Sequence, residues 1–253
     1  MTSFEVTLFF VLCASSFSLQ QPTFFKSTYK GLNRINPRAA LSTSGEMLAV
    51  YYHDQTVAVV ELGMNNELHN CELVEVYEPH EAIEVLKNLS SEVQPQQVSF
   101  QEMMKLMRQC DILDKMQGEN SHTLSTIPKG NGDGINPLSL LSGIIPGTKW
   151  CGTGDIAENY HDLGEEASID RCCRSHDLCP VKVRAQRMRY NLTNYSLYTK
   201  SHCNCDDLLY KCLKAASHPS GNVMGRIYFN LVKVPCIEDE GTKKRFTSVK
   251  MYY

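Results

Sequence analysis

Apolar and polar positions along residues 47–62 fall into two β-prone runs, Met47-Leu48-Ala49-Val50-Tyr51-Tyr52 and Thr56-Val57-Ala58-Val59-Val60-Glu61-Leu62. They flank His53-Asp54, which predicts a hairpin. Leu73-Val74-Glu75-Val76-Tyr77 alternates and predicts a third strand. The period then changes. Pro79 to Leu89 has helical spacing, with Ile83, Leu86 and Leu89 on the inward face. A second helix is expected to begin at Ser99, because Glu102 three residues on completes a capping box. Met103, Leu106, Met107 and Cys110 follow on one face of it. Nearer the start, Val6 to Ala14 is an apolar run followed by Ser15, Ser16 and Ser18, which reads as a signal peptide over residues 1–18. Glu5 precedes the run and no Lys or Arg does. The run is too short to span a bilayer, and no membrane span is expected. Residues 117–143 are rich in turn formers, with Gly130-Asn131-Gly132-Asp133-Gly134 between Pro128 and Pro137, and predict a linker. The expected organisation is a signal peptide (1–18), a small α+β pro-region or accessory domain (19–116), a linker (117–143) and a second domain (144–253).

Composition sharpens the second domain. Eight of the 11 cysteines (Cys151, Cys172, Cys173, Cys179, Cys203, Cys205, Cys212, Cys236) lie in it. In a secreted chain that density is a disulfide signature, but spacing alone cannot give the connectivity. Cys71 and Cys110 are available to pair with each other, and Cys13 leaves with the leader. The formal charge of −3 is uneven: residues from Ile144 onward carry +4 and the remainder −7. The basic module suits an anionic surface, and the acidic region could mask it; two solvated surfaces of opposite sign explain the asymmetry equally well. Asn88, Asn191 and Asn194 stand in glycosylation sequons, which mark surface positions in a secreted chain.

Three stretches carry candidate chemistry. In Cys172-Cys173-Arg174-Ser175-His176-Asp177-Leu178-Cys179, His176 and Asp177 sit at the end of a helix that Pro180 should stop. Cysteine staples around a surface histidine, a zinc site built from Cys172, Cys173, Cys179 and His176, and a hydrolytic pair are the three readings. In the last, His176 is a general base and Asp177 a metal ligand. Trp150-Cys151-Gly152-Thr153-Gly154 is a glycine turn able to present several carbonyl oxygens to a hard cation such as Ca²⁺. In Cys203-Asn204-Cys205-Asp206-Asp207, either aspartate could orient the imidazole, or could simply favour the first turn of a helix.

Taken in order, Pro146 to Gly154, Cys172 to Pro180, Cys203 to Asp207 and Ile227-Tyr228-Phe229-Asn230-Leu231 resemble the bee-venom type (group III) secreted phospholipase A2 family. The resemblance implies a mainly α, small disulfide-rich fold of three helices, a calcium loop and a minor β-hairpin. It implies Ca²⁺ on the carbonyls of Trp150, Gly152 and Gly154 and the carboxylate of Asp177. It implies His176 as the base, Asp206 hydrogen-bonded behind the imidazole, and Tyr228 in support. It also implies the disulfides Cys151–Cys173, Cys172–Cys212, Cys179–Cys205 and Cys203–Cys236. Only 17 residues follow Cys236, so the family's longer tail is missing.

The expected activity is calcium-dependent hydrolysis of the sn-2 ester of glycerophospholipids by an extracellular enzyme. It would work peripherally at a membrane or lipid-aggregate surface, with no nucleic-acid partner and with an intramolecular contact from the pro-region. The rivals are a non-catalytic phospholipase-like toxin or receptor ligand and an intracellular zinc protein.

Overall fold

The computed structural model describes residues 31–32, 35, 47–122, 143–248 and 251–253. The expected signal peptide and most of the expected linker lie outside the described residues.

Strands β1 (Met47–His53) and β2 (Thr56–Leu62) form the antiparallel hairpin, with His53 opposite Thr56. Asp54 in the turn has φ +47°, a left-handed conformation that aspartate tolerates. Strand β3 (Leu68–Glu75) starts earlier than the alternation suggested and pairs with β2. Helix α1 (Pro79–Leu89) follows, and strand β4 (Gln96–Gln97) runs parallel to β1, giving the order β3-β2-β1-β4. Helix α2 (Phe100–His122) is opened by the capping box: the Ser99 backbone N–H donates to Glu102 Oε2 (2.8 Å) and the Glu102 N–H donates to Ser99 Oγ (3.3 Å). It continues past residue 116, and Gln117 ties it to β3 by donating to the His69 carbonyl (3.0 Å).

Thr56 to Val60 are all buried because both faces of the sheet are covered. Val57 and Val59 pack with Val85 and Leu89 of α1; Ala58 and Val60 pack with Met103 and Met107 of α2. Two neighbours in one strand thus enter two different cores, as the period of two requires. Each such side chain contributes about 1.5–3 kcal/mol when buried. Ile83, expected inward on α1, is exposed. The sheet meets the helix through Val85 and Leu89, so the buried stripe is rotated away from Ile83.

The second half is built on helix α3 (Ala167–Asp177), four two-residue strands β5 (Lys182–Val183), β6 (Met188–Arg189), β7 (Leu192–Thr193) and β8 (Lys200–Ser201), and helix α4 (Cys203–Ala216). Helix α5 (Pro219–Gly225), a π-helical segment (Arg226–Val232) and the hairpin β9 (Cys236–Glu240) and β10 (Lys243–Thr247) complete it.

The two halves share a core. Met103, Met104 and Met107 of α2 pack in one cluster with Tyr160, Leu178, Cys179 and Cys205. The hairpin turn docks on the segment that follows α3: Thr56 Oγ1 donates to the Leu178 carbonyl (2.7 Å) and the Gln55 N–H to the Pro180 carbonyl (3.1 Å). Gln55 Nε2 donates to the Lys182 carbonyl (2.9 Å). Arg174 of α3 is fully buried; its guanidinium lies 4.0 Å over the Tyr160 ring and donates to Asp111 (3.1 Å) and Asp114 (3.0 Å) of α2. Arg171 adds a bond to Asp114 (3.2 Å).

The two aspartates around Arg174 respond oppositely. Burial dominates at Asp111 and raises its carboxyl. At Asp114 burial pushes the same way, but a hydrogen bond from His161 and the charges of Arg174 and Arg171 outweigh it and hold the carboxyl well below the usual range. Its folded pKa therefore lies below the unfolded value of about 3.9. The stability it contributes is present above that pH and is lost as pH falls. Between pH 5 and pH 2 the melting temperature of the parent should fall more steeply than that of Asp114→Asn, as read by circular dichroism; parallel curves would exclude this coupling.

Among the sequons, Asn194 is fully buried, contrary to expectation. Its amide donates to the carbonyls of Val183 (3.0 Å), Arg184 (3.1 Å) and Tyr198 (2.8 Å), so in the folded chain its nitrogen is already used. Asn88 and Asn191 are exposed.

Candidate active site

Helix α3 and its neighbour α4 are cross-linked from both ends. Cys172–Cys212 joins α3 to α4 and Cys179–Cys205 joins the segment just after α3 to α4, on either side of His176, with Cα separations of 5.6 and 6.0 Å. Cys151–Cys173 (5.1 Å) fastens the glycine turn to α3, and Cys203–Cys236 (4.9 Å) fastens the start of α4 to β9. Cys71–Cys110 joins β3 to α2. Every cysteine among the described residues is thereby bonded to another, and none is left as a thiolate for zinc.

His176 and Asp206 meet because α3 and α4 lie side by side. Nε2 of His176 is 2.8 Å from Oδ1 of Asp206, which is 1% exposed. The Tyr228 hydroxyl donates to the same carboxylate oxygen (3.0 Å), and its ring stands edge-on to the imidazole at 5.2 Å. Burial, and then the Asp206 charge, push the Tyr228 phenol well above its ordinary value, so it stays a donor. With Nε2–H committed to a carboxylate, Nδ1 is the nitrogen left to accept a proton. It faces Asp177, 3.9 Å from Oδ1.

The glycine turn borders the same cavity as His176. Trp150, Gly152, Gly154, His176, Asp177 and Tyr228 line one cavity of about 730 Å³. Gly152 sits opposite Ile144, where the Ile145 N–H donates to the Cys151 carbonyl and the Thr153 N–H to the Gly143 carbonyl. In that pattern the N–H and C=O of Gly152 itself point away from Ile144. A Cβ at Gly152 would meet the Gly143 carbonyl oxygen at 2.2 Å, and Gly154 has φ +83°, so neither position accepts another residue without strain.

Asp170 is a site-building residue that sequence reasoning missed. It is fully buried in the first turn of α3 and gathers the backbone N–H groups of Lys149 (3.0 and 2.9 Å), Trp150 (2.7 Å) and Gly164 (2.7 Å). The Trp150 indole donates to the Asp162 carbonyl (2.9 Å). In sequence, Asp170 is indistinguishable from an acid placed for the helix dipole; only its long-range partners reveal the role.

Among the described residues no group of three or more His, Cys, Asp or Glu side chains could hold a metal ion. Side chains that could contribute to a cation site at the glycine turn are therefore few; the Asp177 carboxylate and main-chain carbonyls of the turn are donors of the kind a hard cation takes.

An imidazole backed by a buried carboxylate, lining a cavity that apolar side chains share, is the arrangement of a general base. Comparison with known proteins agrees. A family model described as Phospholipase A2 matches residues 144–240. "Phospholipase A2 isozymes PA3A/PA3B/PA5" of Heloderma suspectum is 41% identical over 97 residues, 38% of this chain and 68% of that protein. "Phospholipase A2" of Apis cerana cerana is 40% identical over 98 residues, 38% of this chain and 73% of that protein. "Group 3 secretory phospholipase A2" of Homo sapiens is 39% identical over 92 residues, 36% of this chain but 18% of that protein. The chain belongs to the phospholipase A2 family, and the matched stretch holds the whole constellation around His176 while the sheet module lies outside it.

Proposed function

We propose that the protein is a secreted, calcium-dependent phospholipase A2 that releases the sn-2 fatty acid of glycerophospholipids. The observation that carries this reading is the His176–Asp206–Tyr228 set opening onto the cavity that also holds the glycine turn. Calcium, on the carbonyls of Trp150, Gly152 and Gly154 and the carboxylate of Asp177, would supply positive charge for the ester carbonyl and the phosphate. Nδ1 of His176 takes a proton from a water, and the water oxygen attacks the sn-2 carbonyl carbon. Asp206 holds the ring in the required tautomer and stabilises the imidazolium, with Tyr228 fixing the carboxylate. The Gly152 N–H is placed to donate to the developing oxyanion. On collapse of the tetrahedral species the imidazolium returns its proton to the leaving lysophospholipid alkoxide, and the fatty acid departs.

The cavity's apolar side, Leu209, Met224, Ile227, Val232 and Val234, suits an acyl chain. Leu197 (78% exposed), Ile227 (40%) and Leu231 (78%) stand at or beside its mouth, which supports peripheral docking on a lipid surface. No helix among the described residues is long and apolar enough to cross a membrane. The disulfides and the secretory relative support an extracellular location. The intact His–Asp pair disfavours the non-catalytic alternative. The shared core and the ion pairs of Arg174 support a domain division in which the sheet module is a lasting part of the enzyme and not a mask.

The test is fatty-acid release from vesicles carrying an sn-2 label. Chelation of calcium should lower the rate by about 10²-fold or more, and re-addition should restore it. A rate indifferent to chelator would overturn the calcium assignment.

A further inference from the structure

The cavity beside His176 is lined by charged as well as apolar residues, and one of the charged ones comes from outside the family match. Glu75, at the end of β3, lines the cavity together with Lys182 and Arg184. One oxygen of Glu75, Oε1, takes both cations: Lys182 Nζ at 2.7 Å and an Arg184 terminal nitrogen at 2.8 Å. Lys182 is 3% exposed, and its ammonium also donates to the main-chain carbonyl of Asp177, the residue next to the general base. Arg184 lies 4.2 Å over the Tyr77 ring, so its guanidinium is fixed as well. Two cations and one anion are thus immobilised beside the reacting centre, on the polar side of a cavity whose other side suits an acyl chain.

We infer that Glu75 is a head-group selectivity residue: it holds Lys182 and Arg184 in the cavity wall and offsets their charge, so that the site accepts zwitterionic head groups and does not favour anionic ones. This rests on the phospholipase reading above. The physical reason is simple. Phosphatidylcholine and phosphatidylglycerol both carry a phosphate, and differ at this wall by the choline cation. With Glu75 present the Glu75–Lys182–Arg184 trio carries one net positive charge. Without it the remaining pair carries two, which repel choline and attract an uncompensated phosphate. The Glu75 side chain is 17% exposed, so solvent screens the interaction only in part.

The test compares the parent with Glu75→Gln, which keeps the shape and removes the charge, Glu75→Asp, which keeps the charge, and Arg184→Gln, which removes a cation. Initial rates are measured on phosphatidylglycerol vesicles and on phosphatidylcholine vesicles. Binding of dihexanoyl-phosphatidylglycerol and dihexanoyl-phosphatidylcholine, below their micellar concentrations, is measured calorimetrically in the His176→Gln background. Glu75→Gln should raise the glycerol-to-choline ratio about fivefold in both measurements. Glu75→Asp should stay within about twofold of the parent, and Arg184→Gln should move the ratio the other way. An unchanged ratio in Glu75→Gln overturns the inference, including the case in which both rates fall together, because that is what a merely structural residue would give. If the parent hydrolyses neither vesicle, the phospholipase reading fails, and the binding ratios in the His176→Gln background still decide the role of Glu75.

Discussion

His176→Gln is expected to lower the rate of fatty-acid release by about 10³-fold or more while leaving the melting temperature within a few degrees of the parent. General-base catalysis of this kind contributes about 10²–10⁴-fold. The structure places His176 so that nothing else can take over. Nε2 is bonded to Asp206, and Nδ1 lies 3.9 Å from Oδ1 of Asp177, which lines the cavity with His176. The carboxylate 3.9 Å from Nδ1 is that of Asp177, which the calcium reading assigns to the cation. Glutamine can keep a hydrogen bond to Asp206 but cannot accept a proton at neutral pH. The measurement is the rate on sn-2-labelled vesicles at saturating calcium, beside a calorimetric scan. A mutant as fast as the parent would remove the proposed base and leave the non-catalytic reading in its place.

Arg174→Ala is expected to destabilise the fold by about 3–5 kcal/mol, the cost of removing one partner from a buried ionic set. At roughly 2–4 °C per kcal/mol for a chain of this size, the midpoint should fall by about 10 °C. Arg174 makes no contact with the His176–Asp206 pair; its partners are Tyr160, Asp111 and Asp114. Its loss would take the cation from Asp111 and leave Asp114 with Arg171 and His161 alone, at the seam between α2 and α3. Denaturant titration or scanning calorimetry reads the effect. A change below about 1 kcal/mol would mean that the seam is wet and weak, and that the sheet module does little to hold the catalytic helix.

These two residues lie two positions apart, yet only one was legible in the sequence. His176 stands beside Asp177 with cysteines one helical turn away, a local pattern that survives without any knowledge of the fold. Arg174, in the middle of the same octet, carries no local sign of burial; its meaning comes from Asp111 and Asp114, some 60 residues earlier. Asp170 and Glu75 escaped for the same reason. The β1–β2 hairpin and the capping box at Ser99 were readable because strand period and cap chemistry are short-range. Ile83 was misplaced because a helical stripe read alone fixes the spacing but not the rotation of the buried face. Asn194 was misplaced because a sequon describes an enzyme's recognition rule, not the solvation of the amide. The sulfur pairing lay beyond spacing and came from likeness to a family. The charge asymmetry was visible, but its use was not. Asp54, Glu75, Asp111 and Asp114 of the acidic part are bonded to Arg189, Lys182, Arg184 and Arg174 of the basic part, so the opposite signs act across an internal seam.

One feature of the disulfide pattern bears on processing. The bridge in the sheet module joins Cys71 to Cys110, and the other four lie between Cys151 and Cys236, so among the described residues no sulfur crosses from one half to the other. A protease that nicks the connecting stretch would yield two polypeptides that still travel as a single particle in native buffer. The same preparation would separate into two bands in detergent with no reducing agent added.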